Sequence, residues 1–131
     1  MAIVVSRLRT GATDAAGTVN IAIEGNGLGA KVAYLYGNFV YGSGGTTIKI
    51  YLQGSYDQGT TWVPITNMTF ATASDAKLTG IVPVSFVATD ADATQTDNTQ
   101  LSHLAPRLRV SIVTAGTYAA STLDLWFHMG S

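Results

Sequence analysis

The side chains able to do chemistry are few: seven Asp, one Glu, two His and four Arg among 131 residues, with no Cys. A glycosidase needs a carboxylate pair flanking the sugar bond. Glu24 is the one glutamate and the aspartates fall mostly in turns, so no such pair stands out. Asp90, Asp92, Asp97 and Asn98 offer the hard oxygen ligands that Ca²⁺ takes. Their run lacks the Gly and terminal Glu of an EF-hand loop, and it reads better as a solvated acidic loop. His103 and His128 stand outside any spaced ligand cluster, which suits surface or interface imidazoles rather than a metal site or a general base. A serine nucleophile would call for a Gly-x-Ser-x-Gly elbow, and the chain has none. On this reading the protein is not an enzyme. No catalytic, cofactor-binding or metal-ligating residue is assigned.

The most informative stretch is Ser55-Tyr56-Asp57-Gln58-Gly59-Thr60-Thr61-Trp62. Asp57 is placed to accept backbone N–H bonds across a turn, and Gly59 to take a positive φ. Trp62 opens the return strand with a large apolar surface. Ser55, Asp57, Gly59, Thr61 and Trp62 therefore specify a β-hairpin rather than a reactive centre.

All four arginines fall in two matched segments, Ser6-Arg7-Leu8-Arg9 and Pro106-Arg107-Leu108-Arg109. At the two-residue period of a strand, Leu8 and Leu108 face a core while Arg7, Arg9, Arg107 and Arg109 project from the opposite faces. If both strands share a sheet, the four guanidiniums form one basic patch. Such a patch would grip carboxylates of a neighbouring subunit through forked bonds, making these arginines interface residues. The other reading is a solvated face whose arginines pair with nearby aspartates.

These residues must be positioned by strands. A chain of 131 residues suits a single domain, residues 1–131, with a core of its own. Eighteen Thr and 14 Gly mark a β-rich chain with many turns. Val19, Ile21 and Ile23 alternate with Asn20, Ala22 and Glu24; Ile48, Ile50 and Leu52 alternate with Lys49, Tyr51 and Gln53. Leu108, Val110 and Ile112 repeat the pattern, as do Leu123, Leu125 and Phe127. Further strands are expected at residues 2–10, 31–41, 61–70 and 77–88, making about eight in all. No segment shows sustained helical spacing with a cap and a stop. The expected fold is all-β: an antiparallel two-sheet sandwich, jelly-roll or immunoglobulin-like. Residues 89–103 form a long polar connection, the kind of loop that is functional or disordered.

Composition narrows the partners. Charged residues make up 11% of the chain, against roughly 25% in an average soluble domain. The net charge of −1 sets up no field that would draw in nucleic acid or an anionic membrane. The N-terminal apolar run is short and precedes its basic residues, unlike a signal peptide, and no apolar stretch is long enough to span a bilayer. So little charge suits a subunit whose faces are covered by neighbours.

The pattern Ser-x-Asp-x-Gly-x-Thr-Trp at residues 55–62 resembles the Asp box of sialidases and related carbohydrate-handling proteins. In those proteins the box occupies hairpins of propeller blades, remote from the catalytic centre, so the resemblance implies a turn and transfers no catalytic position. Over most of its length the chain resembles small virion proteins of tailed bacteriophages. The segments AGTVNIAIEGNGLG, VYGSGGTTIKIYLQGSYDQGTTW, DNTQLSHLAPRLRVSIVTAGTY and STLDLWF carry the likeness. This resemblance implies a noncatalytic β-sandwich in the virion. Its expected role is a capsid decoration or cement subunit that binds and stabilises the shell of major capsid protein, or else a neck or tail component. Cement subunits cluster at symmetry axes, so a homo-oligomer is expected, with a trimer favoured. The expected partners are other virion subunits, with no nucleic acid, membrane or cofactor. A carbohydrate-binding module on a tail or fibre is the alternative, using Tyr34, Tyr36, Tyr41, Tyr56 and Trp126 as sugar platforms.

Overall fold

Alternating apolar and polar side chains become ten strands in the computed structural model, which describes residues 3–23, 27, 30, 32–81 and 105–130. In chain order these are β1 (Ile3–Arg9), β2 (Gly17–Ile23), β3 (Val32–Val40), β4 (Ser43–Gly44) and β5 (Thr47–Ser55). The remainder are β6 (Val63–Phe70), β7 (Asp75–Ile81), β8 (Arg107–Ala115), β9 (Tyr118–Ala119) and β10 (Thr122–Gly130). Eight are long. The two-residue strands β4 and β9 pair only with each other.

Two four-stranded antiparallel sheets form a sandwich. The first has the order β1-β10-β3-β7 and the second β2-β8-β5-β6. Among the long strands the pairing is nested: β5 with β6, β3 with β7, β2 with β8 and β1 with β10. A long hairpin rolled around its own axis gives this order, which is the jelly-roll connection and not the immunoglobulin one. The strand expected at residues 77–88 runs over Asp75–Ile81, and its remaining residues lie outside the described ones.

The period-two pattern fills the space between the sheets. Leu35, Phe39, Leu123, Leu125, Phe127 and Met129 of the first sheet meet Ile48, Ile50, Leu52, Met68, Phe70, Leu108, Val110 and Ile112 of the second. Burying side chains of this kind stabilises by about 1.5–3 kcal/mol each. A polar bond crosses the core between the Thr66 and Thr79 hydroxyls at 2.9 Å, tying β6 to β7 in the opposite sheet. An aromatic cluster closes one end. Phe39 packs at 5.5 Å from Phe70 and 5.6 Å from Tyr118, and Tyr41 lies 6.1 Å from Tyr118. The Tyr118 hydroxyl donates to Ala71 O at 2.8 Å, and the Tyr41 hydroxyl to Gly44 O at 2.9 Å.

Candidate functional site

The hairpin between β5 and β6 is built from the side chains that its sequence supplies. Asp57 Oδ1 accepts bonds from the Thr61 backbone N–H at 2.7 Å and from the Ser55 hydroxyl at 2.9 Å. Ser55 Oγ accepts in turn from Gly59 N at 2.8 Å, and Trp62 Nε1 donates to Gly59 O at 3.1 Å. Gln58 and Gly59 both take positive φ, 61° and 93°, and at Gly59 the left-handed conformation is one that only glycine adopts without strain. These bonds, the Thr61 N–H first among them, hold the Asp57 carboxyl at about 2, well below the usual carboxylate range. The carboxylate is committed to its own turn.

β8 grips this hairpin from one side. Arg107 Nη1 donates to Gln58 O at 3.0 Å. The Arg109 guanidinium lies 4.3 Å over the Trp62 ring, and its Nε donates to Gln53 Oε1 at 2.6 Å. Leu108, between them, is buried in the core.

Arg7 and Arg9 have other surroundings. Arg7 donates to the Thr10 hydroxyl at 2.9 Å and lies 5.0 Å over the Trp126 ring. A bulge between Arg7 and Arg9 breaks the two-residue period, and Arg9 turns toward the following loop. There it pairs with Asp14 and donates to the carbonyls of Ala12 and Leu123. Leu8 packs against the core but is only partly buried. The condition for a single basic patch of the four arginines is not met, because β1 and β8 belong to different sheets.

Most of the exposed large apolar side chains among the described residues gather elsewhere, on the outer face of the first sheet. Along β10, Leu123, Leu125, Phe127 and Met129 are buried, so Asp124, Trp126 and His128 face outward. Along β3, Tyr34, Tyr36, Asn38 and Val40 do the same. The register sets them in rows: Arg7, Trp126, Tyr36 and Leu78 lie side by side across all four strands. His128, Tyr34 and Gly80 form the next row, and Asp124, Asn38 and Ala76 the one beyond Trp126. At about 4.8 Å between strands and about 7 Å between rows, this face measures roughly 14 Å each way. Leu78 is 62% exposed, Tyr34 44% and Tyr36 36%. Trp126 and His128 stack with ring centres 6.5 Å apart. A Cβ at Gly80 would meet the Tyr34 ring at 2.8 Å, so the ring lies over β7 where that strand has no side chain. At the border, the Asp124 carboxyl is held below the usual range by the Thr10 hydroxyl first, then by the Gly11 N–H and the charges of Arg7 and Arg9.

The residues expected to act as sugar platforms thus divide. Tyr34, Tyr36 and Trp126 share this face, Tyr56 stands exposed on the turn after β5, and Tyr41 is packed into the aromatic end of the core. Leu78 and His128 complete the face: the alternation along β10 already sets His128 on the side of Trp126, whereas only the register of β7 on β3 brings Leu78 there. The outer face of the second sheet differs: there Tyr51, Gln53, Asn67 and Ser111 are buried. Glu24, Asp90, Asp92, Asp97, Asn98 and His103 lie outside the described residues.

Among the described residues no three Asp, Glu or His side chains come together as a metal site would require. No helix among them is long and apolar enough to cross a membrane. A small cleft of about 220 Å³ beside the β6–β7 turn is lined by Phe70, Asp75 and Lys77 with small neighbours. The Lys77 ammonium there donates to Thr69 O at 2.6 Å and sits 5.6 Å over Phe70. The chain matches no protein-family model, and no curated protein matches it significantly.

Proposed function

We propose that the chain is a noncatalytic structural protein of a tailed-phage virion, a capsid decoration or cement subunit that docks on the shell of major capsid protein. The observation that carries this reading is the uncovered row Arg7–Trp126–Tyr36–Leu78 on the first sheet. Aromatic residues and Arg are the side chains most enriched at the centre of protein interfaces. A sheet face with few charges loses little on desolvation. The jelly-roll core holds that face rigid, so docking orders few side chains.

Cosedimentation with purified shells tests the proposal. The double variant Tyr36→Glu, Leu78→Glu is expected to stay folded, because both side chains already face solvent, and to bind shells at least about tenfold more weakly. Wild-type binding by the folded double variant, or no shell binding by the wild type, would overturn it. A second reading, carbohydrate binding on a tail or fibre, draws support from Tyr34, whose ring lies over Gly80 with nearly half its surface open. Glycan-array binding that Tyr34→Ala abolishes, together with indifference to shells, would select it.

A further inference from the structure

An open sheet edge invites another strand, and folds guard such edges with charge, proline or bulges. Among the described strands, three of the four sheet edges carry a device of this kind. β1 has Arg7, Arg9 and the bulge between them. β7 begins with Asp75 and has Lys77 two residues on. β6 contains Pro64 and a register shift opposite Leu52 and Gln53. The fourth edge, β2, reads Gly-Thr-Val-Asn-Ile-Ala-Ile, with no charge and no proline. Its one strand neighbour among the described residues is β8.

β2 also leaves apolar surface uncovered. Val19 pairs with Ile112 and Ile21 with Val110, so both lie on the core side of the second sheet. Yet Val19 is 36% exposed and Ile21 only partly buried, while Ile112 and Val110 are fully enclosed. The inner face of the sandwich runs out into solvent along this strand from Val19 to Ile21, while Ile23 at its end is buried in the core.

We propose that β2 is a self-pairing edge, on which the β2 of a second copy adds antiparallel about a two-fold axis through Asn20. The argument for a second copy is the symmetry of the strand itself. With Asn20 opposite Asn20, Val19 meets Ile21 of the other copy on the core side, and Thr18 meets Ala22 on the outer side. Val19 and Ile21 are β-branched apolar side chains that suit a pleated surface, and no like charges meet. An isologous contact needs this kind of self-complementarity, whereas a strand from another protein does not. Pairing joins two four-stranded sheets into one of eight and covers Val19 and Ile21. It leaves the aromatic face of the first sheet free, so it stands apart from the shell-docking proposal.

The lack of native cysteine makes the test clean. In an antiparallel pair, directly opposite Cβ atoms lie about 4.5–5.5 Å apart, close enough for a disulfide after small adjustment. Asn20→Cys is expected to form a disulfide-linked dimer on mild oxidation. Ala76→Cys, exposed on the guarded edge strand β7, is expected to form no disulfide-linked dimer under the same oxidation. Val19→Lys should weaken self-association, measured by sedimentation equilibrium, by about tenfold or more while leaving the circular dichroism unchanged. Equal cross-linking at positions 20 and 76 would overturn the proposal. So would a wild type that sediments as a monomer, or as a trimer that Val19→Lys does not disturb.

Discussion

Arg7-Leu8-Arg9 and Arg107-Leu108-Arg109 are spelled alike and do different work. The second triplet lies in β8, a central strand, with β5 and the hairpin beyond it on one side and β2 on the other. Its arginines turn inward along the surface, onto Gln58, Gln53 and Trp62, and its leucine is buried. The first triplet lies in β1, at an edge, where a bulge separates its arginines and its leucine is half covered. A short motif sets which side chains are available. The neighbours of the strand decide whether they build the fold or face a partner.

Three measurements sharpen or break this contrast. The largest effect is expected at the leucines: Leu108→Ala should cost about 2–5 kcal/mol in urea unfolding, the usual range for emptying a packed core site. Leu8→Ala, at a partly covered position, should cost well under half of that, and equal costs would erase the distinction. Next, Arg109→Ala should cost about 1–3 kcal/mol through the lost Gln53 bond and the lost stacking on Trp62. Arg7→Ala should stay within about 0.5 kcal/mol, as surface changes do. Charge reversal at Arg107 and Arg109 is therefore a change to the fold as much as to the surface.

The smallest effect lies in the hairpin that the second triplet supports, and it is read by pH. The Asp57 carboxyl titrates at about 2 in the folded chain, below its ordinary 3.8. A depressed carboxyl contributes stability that is present above its unfolded pKa and is lost as pH falls through the folded one. Melting temperatures should therefore decline between about pH 4 and pH 2 more steeply in the wild type than in Asp57→Asn. Parallel profiles would mean that the carboxylate does not hold the turn.

The hairpin was legible because its bonds run between residues at most four apart: Ser55, Asp57, Gly59 and Thr61 contact one another whatever the rest of the chain does. The strands were legible for a similar reason, since alternation is a local pattern. Sheet order was not, because the pairing of β2 with β8 or β1 with β10 is decided by long-range packing. That left jelly-roll and immunoglobulin-like sandwiches both open, and it left the two arginine segments free to share a sheet. The aromatic face shows the same limit. Tyr34, Tyr36 and Trp126 stand out along the chain, but Leu78 joins them only through the register of β7 on β3. β4 and β9, at two residues each, are too short for any period to reveal.

The nested pairing also sets a timetable. Ile3 sits opposite Gly130, whereas Gly54 sits opposite Val63 across a short turn. Closing a small loop forfeits less chain entropy than closing a large one, so β5–β6 is the easiest pair to form and β1–β10 the hardest. Folds dominated by such distant contacts acquire their structure slowly. β10, moreover, is a central strand of its sheet, flanked by β1 and β3 that precede it in the chain. During synthesis that sheet has to wait, with a gap between two strands already made, until residues 122–130 arrive to fill it.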